Sequence, residues 1–315
     1  MRGLPERRAG PRRAIQILWL LECSNRRSAV TMELIRVADD AGDELTLVNY
    51  NGRKYPNLPG CMETKVLERL PSAEIRSDDI LVCSFPKSGT HWVWEMVRLL
   101  VAGQLDRAEF GNGFNLMENC NVGDYYKDFP SPRILNTHVG FNELPEQVKV
   151  KKPKILYVTR NPKDVTVSYY NHVKKLAYNY TGEWKNFVRP SLEGKFEYGS
   201  WFDYVKDWEE VKKTTDVPIL TINYEDMQEN VFREMKKVAA FLGINRSDEF
   251  VKEVCDHCSF ASMQKSRSPF AKVMYRKGEV GDWKNWFTVA QNEWCDHLFK
   301  EKMKDCPLEF RYSLK

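Results

Sequence analysis

The chain has 315 residues, of which 42% are hydrophobic and 29% charged. That balance supports a globular fold with a sizeable core and excludes disordered or collagen-like chains. The net charge of +4 hints at an anionic partner, but its distribution matters more. Residues 1–31 carry seven arginines and two acids, a net of +5, against 41 cations and 42 acids in the rest. A body near neutrality carries no footprint for nucleic acid. The segment 1–31 reads as a basic, disordered extension. Its apolar run, Ile15 to Leu21, falls well short of the roughly 18–20 residues of a membrane span. The expectation is a cytoplasmic protein without a membrane anchor. Eight cysteines spread over this length do not form a disulfide framework. Cys255-Asp-His-Cys258 lacks the second ligand pair that zinc requires, so no metal is expected.

In chain order, residues 33–79 read as mixed and polar, with Tyr55-Pro-Asn-Leu-Pro-Gly60 as a turn-rich crossing. Ile80 to Phe85 reads as a buried strand, and Thr90 to Ala102 as a helix, with Val93, Met96, Val97 and Leu100 at helical spacing. Ile134-Leu135 heads a second strand ending near His138. Ile155 to Thr159 is a third, running into Asn161-Pro162, where proline suits a helix start. Ile219 to Asn223 is a fourth, followed by a helix from Phe232 to Leu242 that Gly243 stops. Alternating strands and helices imply an α/β domain over residues 32–315, its mostly parallel central sheet flanked by helices. Ligands bind such sheets at the carboxyl ends of the strands.

Phe85-Pro-Lys-Ser-Gly-Thr-His-Trp92 lies at the first of these ends. Ser88 and Gly89 can turn backbone N–H groups toward an anion, and the helix N-terminus adds positive partial charge. Lys87 supplies a full charge, Thr90 a hydroxyl and Trp92 a flat face. Lysine precedes glycine, so the segment departs from the Walker A pattern and disfavours an ordinary ATP or GTP hydrolase. After the third strand, Arg160 can fork two donors to a phosphate, and Ser168 on the next helix can add a hydroxyl. Arg276-Lys-Gly-Glu-Val-Gly-Asp-Trp-Lys284 places two cations beside glycines three apart, as in a loop that closes over an anion. His138 stands at the end of the second strand, where imidazole can act as a base near neutral pH.

These three segments, in this order, resemble the cytosolic sulfotransferase family. The resemblance runs from about Asp78 to Arg311. It implies a P-loop-like turn, Lys87 to His91 and Trp92, for the phosphosulfate of 3′-phosphoadenosine 5′-phosphosulfate (PAPS). Arg160, Ser168, Arg276, Lys277 and Gly278 would bind the 3′-phosphate, in a loop that includes Met274 and Tyr275. Trp92, Tyr224, Cys258 and Phe260 would contact adenine. His138 would be the general base, Lys87 would stabilise the leaving group, and Ser168 would interact with Lys87 to delay hydrolysis. The transfer would be in line, to a hydroxyl or amine of a small acceptor, without a metal. Acceptor candidates are Phe114, Asn136, Phe141, His172 and Tyr178. Lys284, Thr288, Val289 and Glu293 match a dimerisation segment, which implies a homodimer. The chain departs from the family at Asn136 (usually lysine), His91 (threonine), Cys258 (often threonine) and Tyr275 (often methionine). The competing readings are a nucleotide kinase with a variant phosphate loop and an inactive PAPS-binding protein.

Overall fold

A computed structural model describes residues 32–57, 64–106, 115–120, 122–175, 178–265 and 275–314. Phe114, Met274 and the extension 1–31 lie outside them. Strands β1 (Met32–Ala38), β2 (Glu44–Tyr50) and β3 (Arg53–Pro56) come first. Helix α1 (Thr64–Arg69) and β4 (Ile80–Ser84) lead to α2 (Thr90–Ala102). Next come α3 (Val122–Tyr125), β5 (Ile134–Thr137), α4 (Gln147–Lys151), β6 (Lys154–Thr159) and α5 (Pro162–Lys175). Helices α6 (Trp184–Leu192) and α7 (Trp201–Thr214) precede β7 (Ile219–Asn223). The chain continues with α8 (Tyr224–Glu229), α9 (Val231–Leu242), α10 (Asp248–His257), α11 (Phe260–Gln264) and α12 (Val289–Lys302).

The larger sheet has the order β5-β4-β6-β7, and every pairing in it is parallel. Successive side chains in a strand point to opposite faces, and the core divides accordingly. Leu81, Cys83, Leu135, Ile155 and Tyr157 share one cluster with Phe202, Val205 and Trp208 of α7. Tyr157 stacks on Trp208 with ring centroids 4.7 Å apart. Ile80, Val82, Leu156, Val158 and Ile222 face the other way, onto α2, α9 and α10. Helices therefore cover both faces, and the sheet's carboxyl ends, Ser84, Thr137, Thr159 and Asn223, lie along one edge. The expected helix stop holds: Gly243 has φ 74° and ends α9.

The segment 33–79 differs from expectation. Instead of a polar crossing it begins with an antiparallel sheet, β1-β2-β3, and Tyr55-Pro56 ends its third strand. The turn between β2 and β3 is Asn51-Gly52, with φ 50° and 81°. Two left-handed residues in succession make the tight hairpin whose twist matches its strands. This sheet buries Leu45 and Leu47 against Tyr169, Tyr178, Phe187 and Phe196.

At the opposite end of the parallel sheet, Arg133 joins the starts of β4 and β5. Its guanidinium donates to both Asp79 oxygens, at 2.8 and 2.6 Å, and to the Glu74 carbonyl at 3.1 Å. Both charged side chains are almost fully buried, so removing one strands the other in a medium that solvates it poorly. Arg133→Met is expected to lower the unfolding free energy by about 3–5 kcal/mol, measured by urea denaturation. A loss below about 1 kcal/mol, the range of a surface pair, would refute this role.

Candidate functional site

The site is built on the carboxyl edge of the parallel sheet. Between β4 and α2 the backbone takes left-handed conformations at Lys87 (φ 69°) and Gly89 (φ 106°). Gly89 has a second reason to lack a side chain: a Cβ there would lie 2.8 Å from the Tyr224 ring. The turn leaves Lys87 half-buried and Ser88 and Thr90 buried. Arg160, leaving β6, donates to the Lys87 carbonyl at 3.2 Å and to the Glu279 carbonyl at 3.0 Å. Its guanidinium lies 4.1 Å from the centre of the Tyr224 ring. The turn after β4, the arginine after β6, the first residue of α8 and the C-terminal loop thus meet at one place.

The C-terminal loop is held by carboxylates. Asp164 in the first turn of α5 accepts from the N–H groups of Gly281 (2.8 Å) and Trp283 (3.0 Å). Asp282 bonds both Arg276 and Lys277. Burial pushes the Asp282 carboxyl up, but bonds from Lys277, Asn285 and Arg276 outweigh it and hold the group down at about 2. Gly278 has φ 67°, and a Cβ there would collide with Phe260 at 2.3 Å. The backbone just after the cation pair is therefore seated directly against Phe260. Trp92 donates its indole N–H to the Cys258 carbonyl at 2.8 Å and meets Tyr224 edge to face at 5.7 Å. Cys258 thus acts on this cluster through its backbone, with its thiol buried. Trp92, Tyr224 and Phe260 gather as three aromatic surfaces suited to a purine.

His138 follows β5. Its Nδ1 lies 2.8 Å from the Ser84 carbonyl, which can only accept, so Nδ1 carries the proton and Nε2 the lone pair. Burial, the first cause, and the charge of Lys87 lower its pKa to about 4, the bond to Ser84 opposing them. Beneath it sits Glu118, which accepts from the His138 N–H (2.8 Å), the Thr137 hydroxyl (2.7 Å) and the Tyr198 hydroxyl (3.2 Å). The Tyr198 ring meets the His138 ring at 5.4 Å. Tyr198 is in turn fixed by β3, through its N–H to the Lys54 carbonyl at 2.8 Å. The antiparallel sheet therefore braces the histidine.

Lys87 Nζ lies 3.1 Å from His172 Nδ1. Burial and the nearby Arg160 lower the Lys87 pKa to about 8, with Glu197 opposing. Ser168, one turn before His172, is half-buried, and no hydrogen bond joins it to Lys87 among the described residues. Tyr178 donates to buried Glu197 at 2.7 Å. Phe141 packs into the core against Trp208. Asn136 is buried, and neither amide atom has a protein partner; the same is true of Ser88 Oγ and Arg160 Nε. Unsatisfied buried donors grouped at one edge fit a polyanionic ligand, which would complete them. Among the described residues no cluster of three His, Cys, Asp or Glu side chains could hold a metal ion. Lys284, Thr288, Val289 and Glu293 are all exposed.

Two departures from the family pattern meet in space: His91 Nδ1 is hydrogen-bonded to the Tyr275 hydroxyl. Burial and the Lys87 charge lower the His91 pKa to about 3, so the imidazole is neutral. The acids Glu118, Asp164, Glu197 and Asp282, and Tyr198 with them, were absent from the sequence-based site. Of these, Asp164 and Asp282 stand within local motifs, the run after Arg160 and the R-K-G-x-x-G-D-W run.

A family model described as the sulfotransferase domain matches residues 77–307. The chain belongs to the sulfotransferase family. It is 37% identical over 274 residues to Sulfotransferase 1A1 of Mus musculus, covering 79% of this chain and 93% of that protein. It is 36% identical over 293 residues to Amine sulfotransferase of Oryctolagus cuniculus, covering 84% of this chain and 96% of the relative. The crystal structure of mouse sulfotransferase SULT7A1 complexed with PAP aligns with a TM-score of 0.72 at 34% identity, over 83% of this chain and 96% of that one. Membership in this family sets aside the nucleotide kinase reading.

Tyr275→Phe removes the hydroxyl from a buried imidazole. It is expected to cost about 1–3 kcal/mol of stability, seen as a lower thermal midpoint. An unchanged midpoint would mean that the contact contributes nothing.

Proposed function

We propose that residues 32–315 act as one PAPS-dependent sulfotransferase domain in which His138 is the general base for a small hydroxyl or amine acceptor. The observation that carries this reading is the His138 Nδ1 bond to the Ser84 carbonyl at 2.8 Å, which leaves Nε2 unprotonated. PAPS supplies the sulfuryl group and a phosphate as leaving group. Lys87, Ser88, Gly89, Thr90 and His91 would hold the phosphosulfate, Trp92, Tyr224 and Phe260 the adenine, and Arg160, Ser168, Arg276, Lys277 and Gly278 the 3′-phosphate.

In this mechanism His138 Nε2 takes the acceptor proton as the acceptor oxygen or nitrogen attacks sulfur. Lys87 stabilises the negative charge that grows on the departing phosphate. Asn136 offers a neutral amide where the family commonly has lysine. His172 and Tyr178 give the acceptor side a polar wall, with Phe141 and the Asn136 amide behind it. Glu118 holds the backbone of His138 and lends it no proton path.

A homodimer through Lys284, Thr288, Val289 and Glu293 is consistent with their exposure; Val289 is 75% exposed. A cytoplasmic location is proposed from the family. Among the described residues no helix is long and apolar enough to cross a membrane.

His138→Ala is expected to lower kcat by at least ~10²–10⁴-fold while PAP affinity, read by calorimetry, stays near wild type. Near-normal turnover would overturn the assignment. The pH profile gives a second check. Lys87 must be protonated to stabilise the leaving group, and its pKa is lowered to about 8. Its contribution is present below that value and lost above it. The kcat/KM for PAPS is therefore expected to fall as pH rises through about 8. No acid limb is expected near the ordinary histidine value of about 6.5. In Lys87→Arg the alkaline limb should disappear from a lower plateau, because guanidinium keeps its charge. An unmoved limb would assign it to another group.

A further inference from the structure

A ligand with two anionic ends binds tightly only where the two sites that take them are held at the matching separation. In the reading above these sites are the turn after β4 and the loop bearing Arg276 and Lys277. His91, just inside α2, is hydrogen-bonded through Nδ1 to the hydroxyl of Tyr275, the residue before that cation pair. We propose that this bond is a positioning device. It sets the cation pair at a fixed reach from the turn, and so governs how strongly the site favours a nucleotide with a 3′-phosphate over one without. The proposal rests on the 3′-phosphate role given to Arg276 and Lys277.

The geometry gives the bond this reach. His91 and Tyr275 are 184 positions apart, and each is only 9% exposed. The His91 ring stacks on Trp94, one turn along α2, with centroids 5.6 Å apart and planes 24° from parallel. The Tyr275 ring meets His91 at 5.5 Å, and the Tyr275 carbonyl accepts from the Gln264 amide at 3.3 Å. Beyond the cations the loop is attached again, where the Glu279 carbonyl accepts from Arg160 and Asp164 accepts from the Gly281 N–H. Arg276 and Lys277 thus lie between two attachments, with Tyr275 the nearer. Burial and the Lys87 charge keep the imidazole neutral, and burial pushes the Tyr275 phenol up, so it keeps its proton. The bond therefore joins neutral groups, and its effect on the 3′-phosphate comes through the cations it places. The family's usual threonine and methionine at these positions lack this strong donor–acceptor pairing.

The test compares two nucleotides that differ only in the 3′-phosphate: 3′-phosphoadenosine 5′-phosphate (PAP) and adenosine 5′-monophosphate. Both are titrated by calorimetry into the full chain, well below the thermal midpoint, and the ratio of dissociation constants is read. Tyr275→Phe is expected to shrink the preference for PAP about three- to tenfold, the scale of one hydrogen bond, with binding of adenosine 5′-monophosphate little changed. His91→Leu should shrink the preference as much. His91→Leu combined with Tyr275→Phe should shrink it no further, because both changes remove the same bond. His91→Gln, which keeps a donor and an acceptor, should return the preference toward wild type. An unchanged preference in Tyr275→Phe would overturn the proposal. So would additive losses in the double variant, or equal weakening of both nucleotides, the mark of a general loss of structure. If Tyr275→Phe fails to fold, His91→Leu against His91→Gln decides, and equal preferences in those two would refute the role of the bond. Arg276→Ala is the separate control. A PAP preference that survives it would overturn the 3′-phosphate role of the loop, an outcome distinct from any result at the pair.

Discussion

The site depends on one strained turn. Between β4 and α2 the chain must reverse within a few residues, and it does so with left-handed backbone at Lys87 and Gly89. For a residue with a side chain that conformation costs about 1–2 kcal/mol. The surroundings offset the cost by holding Lys87 at both ends. Arg160 takes its carbonyl, and His172 meets its ammonium. Because Arg160 also bonds the Glu279 carbonyl, the geometry of the turn is transmitted directly to the C-terminal loop. The glycine two residues on lets Tyr224 approach the same turn.

Around this turn, a site for a polyanion is supported throughout by acids. Glu118 fixes the end of β5 beneath the histidine, and burial pushes its carboxyl up while three donors oppose that shift. Glu225 accepts from the backbone N–H and the amide of Asn161, and so sets the start of α5. Asp164 then carries the loop 281–283. Each acid satisfies backbone N–H groups or cations that would otherwise be buried without partners, and each leaves the ligand-facing donors free of that duty.

Much of this was legible in the chain. The strand ends before Pro86, near His138, after Thr159 and at Asn223 follow from apolar runs that break at proline or polar residues. The motifs that carry Lys87, Arg160 and Arg276 are local in sequence, so their spacing could be recognised. The three-stranded sheet escaped because β1 alternates weakly and exposes Leu34, although Asn51-Gly52 is a strong hairpin signal. Glu118 and Glu197 escaped for another reason. Glu118 meets His138 across twenty positions and Tyr198 across eighty, and no local pattern marks a carboxylate whose partners come from elsewhere. Phe141, expected on the acceptor side, also packs on Trp208, as an aromatic beside a strand end can turn one face to the core. His91 and Tyr275, read as separate substitutions, are one contact across 184 positions.

The bond from Asp282 to both Arg276 and Lys277 has a consequence for traffic through the site. Two neighbouring cations would repel each other when the nucleotide is gone, and the loop would tend to open. With the carboxylate in place they stay assembled at a local charge of +1 instead of +2. In the role proposed for Arg276 and Lys277, arrival of a phosphate exchanges one counter-anion for another, and departure is the reverse exchange. The carboxylate is also placed to take the cations back as such a phosphate leaves.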